Sequence, residues 1–105
     1  MPTLRSTAAI LLFAIAILAI VSACETAPPV QEMSDARQAI AVAREAGAAE
    51  SASEELKAAE EFLRSAQQRL NDRDYHEARR AAMDAKLKAQ SALRLAESDR
   101  ERRPE

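Results

Sequence analysis

Cysteine and histidine, which often act as nucleophiles, general bases and metal ligands, occur once each in this sequence, as Cys24 and His76. One cysteine and one histidine cannot form a disulfide or supply the ligands of a protein zinc site. His76 lies between Tyr75 and Glu77 at the predicted start of a helix, where an exposed side chain is favoured over the partnered, partly buried geometry of a general base. We therefore expect no catalytic site, no metal site and no cofactor, and predict that the protein is not an enzyme.

The remaining candidates for chemistry are two acidic pairs, Glu54-Glu55 and Glu60-Glu61. No calcium-type loop rich in Asp and Gly accompanies them, so a solvated acidic face is favoured over a divalent-metal or paired-carboxylate site. The single glycine excludes the glycine-rich loops that bind phosphates. With 15 basic and 17 acidic residues, the chain also lacks the basic patch that nucleic-acid binding requires.

The first 23 residues have the layout of a secretory signal peptide. Arg5 is the only charged residue among residues 1–7, and the 14 apolar residues Ala8–Val21 follow it. A positive start, an apolar run of about 7–15 residues and small residues at the cleavage site are typical of such peptides. The apolar run is shorter than the roughly 20 residues that span a bilayer as a helix.

The four residues Val21, Ser22, Ala23 and Cys24 resemble the bacterial lipobox, in which an aliphatic residue and two small residues precede a cysteine. The resemblance implies that a diacylglycerol is attached to Cys24 through a thioether, that the chain is cleaved before Cys24, and that the new amino terminus is acylated, for example with palmitate. Lipidation would also remove an unpaired thiol from an oxidising compartment. An ordinary signal peptide, or an uncleaved anchor with an incidental cysteine, is the alternative.

The residues after Cys24 bear on location. Glu25 is not the aspartate that resembles an inner-membrane retention signal, which favours the outer membrane over the inner membrane. The proline pair in residues 25–32 predicts an extended segment. We therefore expect a lipidated tether over residues 24–33 and a domain that lies close to the membrane surface and faces the periplasm.

Alanine spacing predicts an all-α domain over residues 34–98, with helices at about 34–47, 53–71 and 74–98 and a charged, flexible tail over 99–105. Ser34 is the expected N-cap of the first helix and Gly47 its C-terminal signal, while Ser51 and Glu54 fit a capping box for the second. The expected architecture is a three-helix antiparallel bundle with alanine-rich, coiled-coil-like packing.

The third helix has a heptad seam made almost wholly of alanine, with leucines of the second helix expected to face it. The seam residues are Tyr75, Ala78, Ala82, Ala85, Ala89, Ala92 and Ala96. An antiparallel second and third helix would bring Glu54, Glu55, Glu60 and Glu61 beside Lys86, Lys88 and Arg94. Met83, Leu87 and Leu93 lie partly off the seam, where they could support self-association.

Two segments, SDARQAIAVAREAGAAESASEELKAAEEFL and DRDYHEARRAAMDAKLKAQSALRLAE, resemble the small bacterial lipoprotein family known as DUF4398, a domain of unknown function. Many relatives carry a C-terminal OmpA-like peptidoglycan-binding domain, whereas we expect a stand-alone domain here. The family implies no activity and no site residues. For Arg100, Arg102 and Arg103, a charged, solvated tail is favoured over contact with anionic lipid or peptidoglycan.

We therefore expect a lipid-anchored helical module of the cell envelope that binds an envelope protein and catalyses no reaction. The alternative is a self-associating coiled-coil spacer lipoprotein, and an accessory subunit of an envelope enzyme is less favoured.

Overall fold

The described part of the chain is entirely helical. A computed structural model describes residues 4–25 and 27–103, except for the side chains of residues 19–25. These residues form five helices and no strand, which confirms the all-α class. The helices are α1 (Leu4–Glu25), α2 (Val30–Glu45), α3 (Ala48–Ser51), α4 (Ser53–Asn71) and α5 (Tyr75–Arg102).

Helix α2 begins at Val30, four residues before the expected N-cap Ser34, so that expectation is wrong. Pro29 occupies the N-cap, and its carbonyl accepts a hydrogen bond from the Met33 N–H at 3.0 Å. The N-cap needs no N–H of its own within the helix, so a proline there removes no helical hydrogen bond. Met33 is buried, so the extra turn also buries apolar surface. The last four residues of the expected tether, 30–33, are therefore helical.

The connection between α2 and α4 confirms Gly47 as a helix-ending residue but not the capping box. Gly47 has φ +90°, in the left-handed region that favours glycine, and its N–H donates to the Arg44 carbonyl at 3.0 Å. Ser51 belongs to α3, and its hydroxyl donates to the Gly47 carbonyl at 3.0 Å. Ala52 is the N-cap of α4 and has no side-chain cap hydrogen bond. The Ser51 hydroxyl, which was expected to cap α4, therefore bonds within the turn of α3 instead.

The turn between α4 and α5 lies at Arg73, as the polar residues there predicted. Arg73 has φ +62°, and the Asp74 N–H donates to the Arg69 carbonyl at 2.9 Å. At its other end α5 continues to Arg102, beyond the expected end at residue 98. The side chain of Arg102 donates to the Ser98 carbonyl at 3.4 Å, one turn earlier. Contacts between residues four apart stabilise a helix, so this one supports the last turn of α5, which was expected to belong to the flexible tail.

The alanine seam of α5 forms the centre of the packing, as predicted. All six of its alanines are at most 2 % exposed, and they contact α2 on one side and α4 on the other. Methyl side chains let helix axes approach closely. Tyr75, the first residue of the expected seam, is only half-buried.

Ion pairs between the helices show their relative directions. Lys88 of α5 lies 3.6 Å from Glu55 of α4, a pair of the kind expected from the antiparallel arrangement. Lys86 instead lies 4.0 Å from Asp35 of α2, and Glu60 pairs with Arg44. Glu32 and Asp35 of α2 pair with Arg79 and Lys86 of α5 in the same order along both helices, so α2 runs parallel to α5. Arg37 and Arg44 of α2 contact Gln67 and Glu60 of α4 in the opposite order, so α2 runs antiparallel to α4.

Replacing Gly47 with alanine is expected to lower the free energy of unfolding by about 1 kcal/mol, because a Cβ is disfavoured at positive φ. Space is not the cause, since the nearest atom to an added Cβ is Oε2 of Glu50 at 4.0 Å. Chemical denaturation followed by circular dichroism measures the change. Arg73→Gly is the matched control in the same backbone region and should cause no comparable loss; equal losses from both variants would contradict the account.

Candidate functional site

The residues expected to carry the lipid lie at the end of α1. Val21, Ser22, Ala23 and Cys24 are in its last turns, and Glu25 is its final residue. Their side chains lie outside the described part of the structure. Lipidation of Cys24, cleavage before it and sorting through Glu25 therefore stay predictions from the sequence.

The segment that follows Cys24 is held against the helical domain by Arg79 of α5. Nη2 of Arg79 donates to the Ala27 carbonyl at 2.9 Å, and Nε lies 3.2 Å from Oε1 of Glu32. Pro29 is buried, with less than 2 % of its surface exposed. The backbone at Ala27, three residues after Cys24, is therefore attached to α5.

Arg79 was missed by reasoning from sequence. It is one of two adjacent arginines on α5, and Arg80 beside it is exposed and lies 4.0 Å from Glu77. The sequence indicates only that Arg79 directly follows the seam residue Ala78 and so lies at the edge of the buried face of α5. That position does not identify a carbonyl 52 residues away as a partner.

An open groove of about 460 Å³ separates α2 from α4. The buried Ile40 lies at its base, and arginines form much of its rim. Nη2 of Arg37 donates to Oε1 of Gln67 at 3.0 Å, and Arg44 pairs with Glu60. Arg64 forms no ion pair with any described residue. The groove could accommodate an apolar side chain together with a carboxylate, but it contains no pairing of nucleophile and base.

The other candidate residues occupy the surface positions expected of them. His76 is exposed, and Glu55 and Glu60 pair with basic side chains rather than with one another. Among the side chains of residues 4–18 and 27–103, no group of three or more from His, Cys, Asp and Glu is placed to hold a metal ion.

The outer face of α5 exposes large apolar side chains. Met83 is 52 %, Leu87 60 % and Leu95 43 % exposed. Met83 and Leu87 border a groove of about 400 Å³ that also contacts Glu32 and Asp35 of α2. Leu93, expected with them, instead packs partly buried against the core because it follows the seam residue Ala92 directly. Leu95 takes its place on the exposed face.

Among the described residues, none of the helices meets the length and hydropathy that a membrane span requires.

A family model described as a domain of unknown function, DUF4398, matches residues 31–104. This range starts one residue into α2 and covers α3, α4 and α5, so the match coincides with the packed helical domain. No significant match was found among curated proteins or among solved structures.

Proposed function

The chain belongs to the DUF4398 family, and because that family is defined by a domain of unknown function, we propose a role from the residues themselves. The protein is a lipid-anchored helical module of the cell envelope that acts by binding or by its own assembly and catalyses no reaction. One observation carries the proposal: the lipobox-like residues Val21, Ser22, Ala23 and Cys24 follow an apolar run of signal-peptide length.

The anchor is a covalent lipid on Cys24. The Cys24 thiol loses its proton as its sulfur bonds to the glyceryl carbon of a glycerophospholipid, and the bond from that carbon to the headgroup phosphate oxygen breaks, so that the headgroup leaves as a phosphate ester. Water then hydrolyses the peptide bond between Ala23 and Cys24. The freed amino group displaces the alcohol of an ester-linked acyl donor and becomes an amide. Each buried CH₂ contributes about 0.8 kcal/mol to membrane binding, so two or three acyl chains give a stable attachment where one chain gives a marginal one.

The proposed location is the periplasmic side of the outer membrane, with the inner membrane as the alternative. Support comes from Glu25, which differs from an aspartate at the position after the cysteine. Arg79 and the buried Pro29 fix the segment after the anchor, which would keep the domain at the membrane surface.

The domain itself is proposed to be a three-helix bundle of α2, α4 and α5, with α3 as a short connection. The partner favoured by this arrangement is another envelope protein, bound at the arginine-rimmed groove between α2 and α4, where Arg37 and Arg64 would attract its carboxylates. The second candidate is a self-associating spacer, which the exposed Met83 and Leu87 favour. A role as accessory subunit of an envelope enzyme has less support.

Replacing Cys24 with serine tests the anchor in a Gram-negative host. Wild-type chain should fractionate with the outer membrane on a density gradient and require detergent for release, because the acyl chains hold it there. Cys24→Ser should leave that fraction and accumulate as the longer precursor. Ser22→Ala keeps a small residue before the cysteine and should behave as wild type. A Cys24→Ser chain of wild-type size in the outer-membrane fraction would contradict the anchor.

A further inference from the structure

Helix α5 carries a second seam on the face opposite its buried alanines. Leu87 lies two residues before Ala89, which places it about 200° away around the helix. Residues on this side recur at the alternating four- and three-residue spacing of a coiled-coil seam, and all are exposed or half-exposed. The outer seam consists of Arg80, Asp84, Leu87, Ser91, Arg94 and Ser98.

The outer seam has apolar and charged groups that the described part of the chain leaves without partners. Neither Asp84 nor Arg94 forms an ion pair with any described residue, whereas Arg80 of the same seam lies 4.0 Å from Glu77. Leu87, at the middle, is 60 % exposed. Met83 and Leu95 flank the seam and are also exposed.

The order of these residues is self-complementary about the level of Ala89. Leu87 and Ser91 are two residues from Ala89 on either side, and Asp84 and Arg94 are five residues from it. In an antiparallel pair of α5 helices centred there, Leu87 faces the small Ser91 of the second copy. Asp84 then faces Arg94 of the second copy, and two-fold symmetry repeats both contacts.

We propose that a second copy of this chain binds the outer seam of α5, antiparallel, with the two-fold axis at the level of Ala89. A parallel pair in register would set Asp84 against Asp84 and Arg94 against Arg94, so like charges would repel at two levels. The antiparallel pair instead forms two central Leu87–Ser91 contacts with an Asp84–Arg94 contact on either side of them. Charge complementarity therefore selects both the partner and its direction.

This association deepens the self-association alternative of the proposed function, and the lipid anchor supports it. Three exposed apolar side chains per copy fall short of the roughly 800 Å² per partner that a stable interface buries, so the dimer is weak in solution. Copies anchored in one membrane meet at a higher effective concentration. In an antiparallel pair the two chain starts lie at opposite ends, so both anchors reach one membrane when the helices lie along its surface.

Charge reversal in the full chain tests the proposal. Two copies with different tags are expressed together, joined by a chemical crosslinker in the intact membrane, extracted in detergent and purified through one tag, and the recovery of the other is measured. Asp84→Arg on both copies should reduce recovery about tenfold, since two attractive contacts become repulsive. Arg94→Asp on both copies should do the same. Asp84→Arg on one copy with Arg94→Asp on the other should restore recovery, because opposite charges again face each other at both ends.

Glu45→Arg, a charge reversal at an exposed site of α2, is the matched control and should leave recovery unchanged. A crosslinking amino acid in place of Leu87 should join the copies at residues 90–95 of the second copy. Three results would each overturn the proposal. They are low recovery for the pair of Asp84→Arg with Arg94→Asp, no co-purification of two wild-type copies, and crosslinks from residue 87 to a different protein.

Acyl content is measured in the same samples. Lipidated chains that do not co-purify refute the dimer alone, and co-purifying chains without lipid refute the anchor alone.

Discussion

Replacing Ala89 with leucine is expected to lower the free energy of unfolding by about 3 kcal/mol. Ala89 is fully buried in a cluster with Ile40, Ala43, Leu56 and Ala59, so residues of α2 and α4 close on it from both sides. Three further carbon atoms at this point must push a helix outward or force side chains from their preferred rotamers. Denaturant unfolding of the full chain in detergent, followed by circular dichroism, measures the change.

Ala41→Leu is the matched control for this prediction. Ala41 lies in the interior of α2 but is exposed, so the same substitution adds no buried volume. Helix propensities of alanine and leucine differ little, and the control should stay within about 0.5 kcal/mol of wild type. Equal stability of Ala89→Leu and wild type would show that the alanine seam does not set the distance between the helices.

The second large effect is expected at Met33, where substitution by alanine should lower the free energy of unfolding by about 2–4 kcal/mol. Met33 is 2 % exposed and contacts Ala66 of α4 and Ala82 of α5, where the surrounding alanines offer little to fill a cavity. The loss should also loosen the first turn of α2. Hydrogen exchange at residues 33–36 would then become faster than in wild type.

Met83→Ala provides the comparison, because Met83 is the same residue type with 52 % of its surface exposed. At protein concentrations too low for association, its unfolding free energy should remain within about 0.5 kcal/mol of wild type. Similar losses at both methionines would contradict the packing of α2 described above.

The helices and their buried seam could be predicted from the sequence because their signal is periodic. Alanines from Ala78 to Ala96 repeat at three- and four-residue spacing, and each seam alanine is buried. Gly47 was predicted to end the first helix of the domain because few other residues adopt a positive φ, and it does so.

Helix ends and long-range contacts were harder to predict, because they depend on competition between local partners. Ser51 fits a capping box for α4, yet its hydroxyl donates a hydrogen bond to the Gly47 carbonyl instead. Ser34 resembles an N-cap, but burial of Met33 extends α2 to Val30. Arg79 carries no sequence signal for its contact with Ala27, which exists only once α2 and α5 are packed.

The proposed lipid anchor is inferred from a short sequence motif, whereas the helices are inferred from the periodic spacing of buried residues. The proposal rests on residues 21–24, which lie outside residues 31–104 matched by the family model. The role as an envelope module depends on both, since the domain would act at a membrane only if Cys24 carries the lipid.

The lipid anchor on Cys24 is tested by the intact mass of the chain made in a Gram-negative host, for wild type and Cys24→Ser. We expect a wild-type mass equal to residues 24–105 plus the diacylglycerol and an amide-linked acyl chain, and the loss of this species in Cys24→Ser. An unmodified wild-type mass, either of the full chain or of a chain cleaved elsewhere, would contradict it.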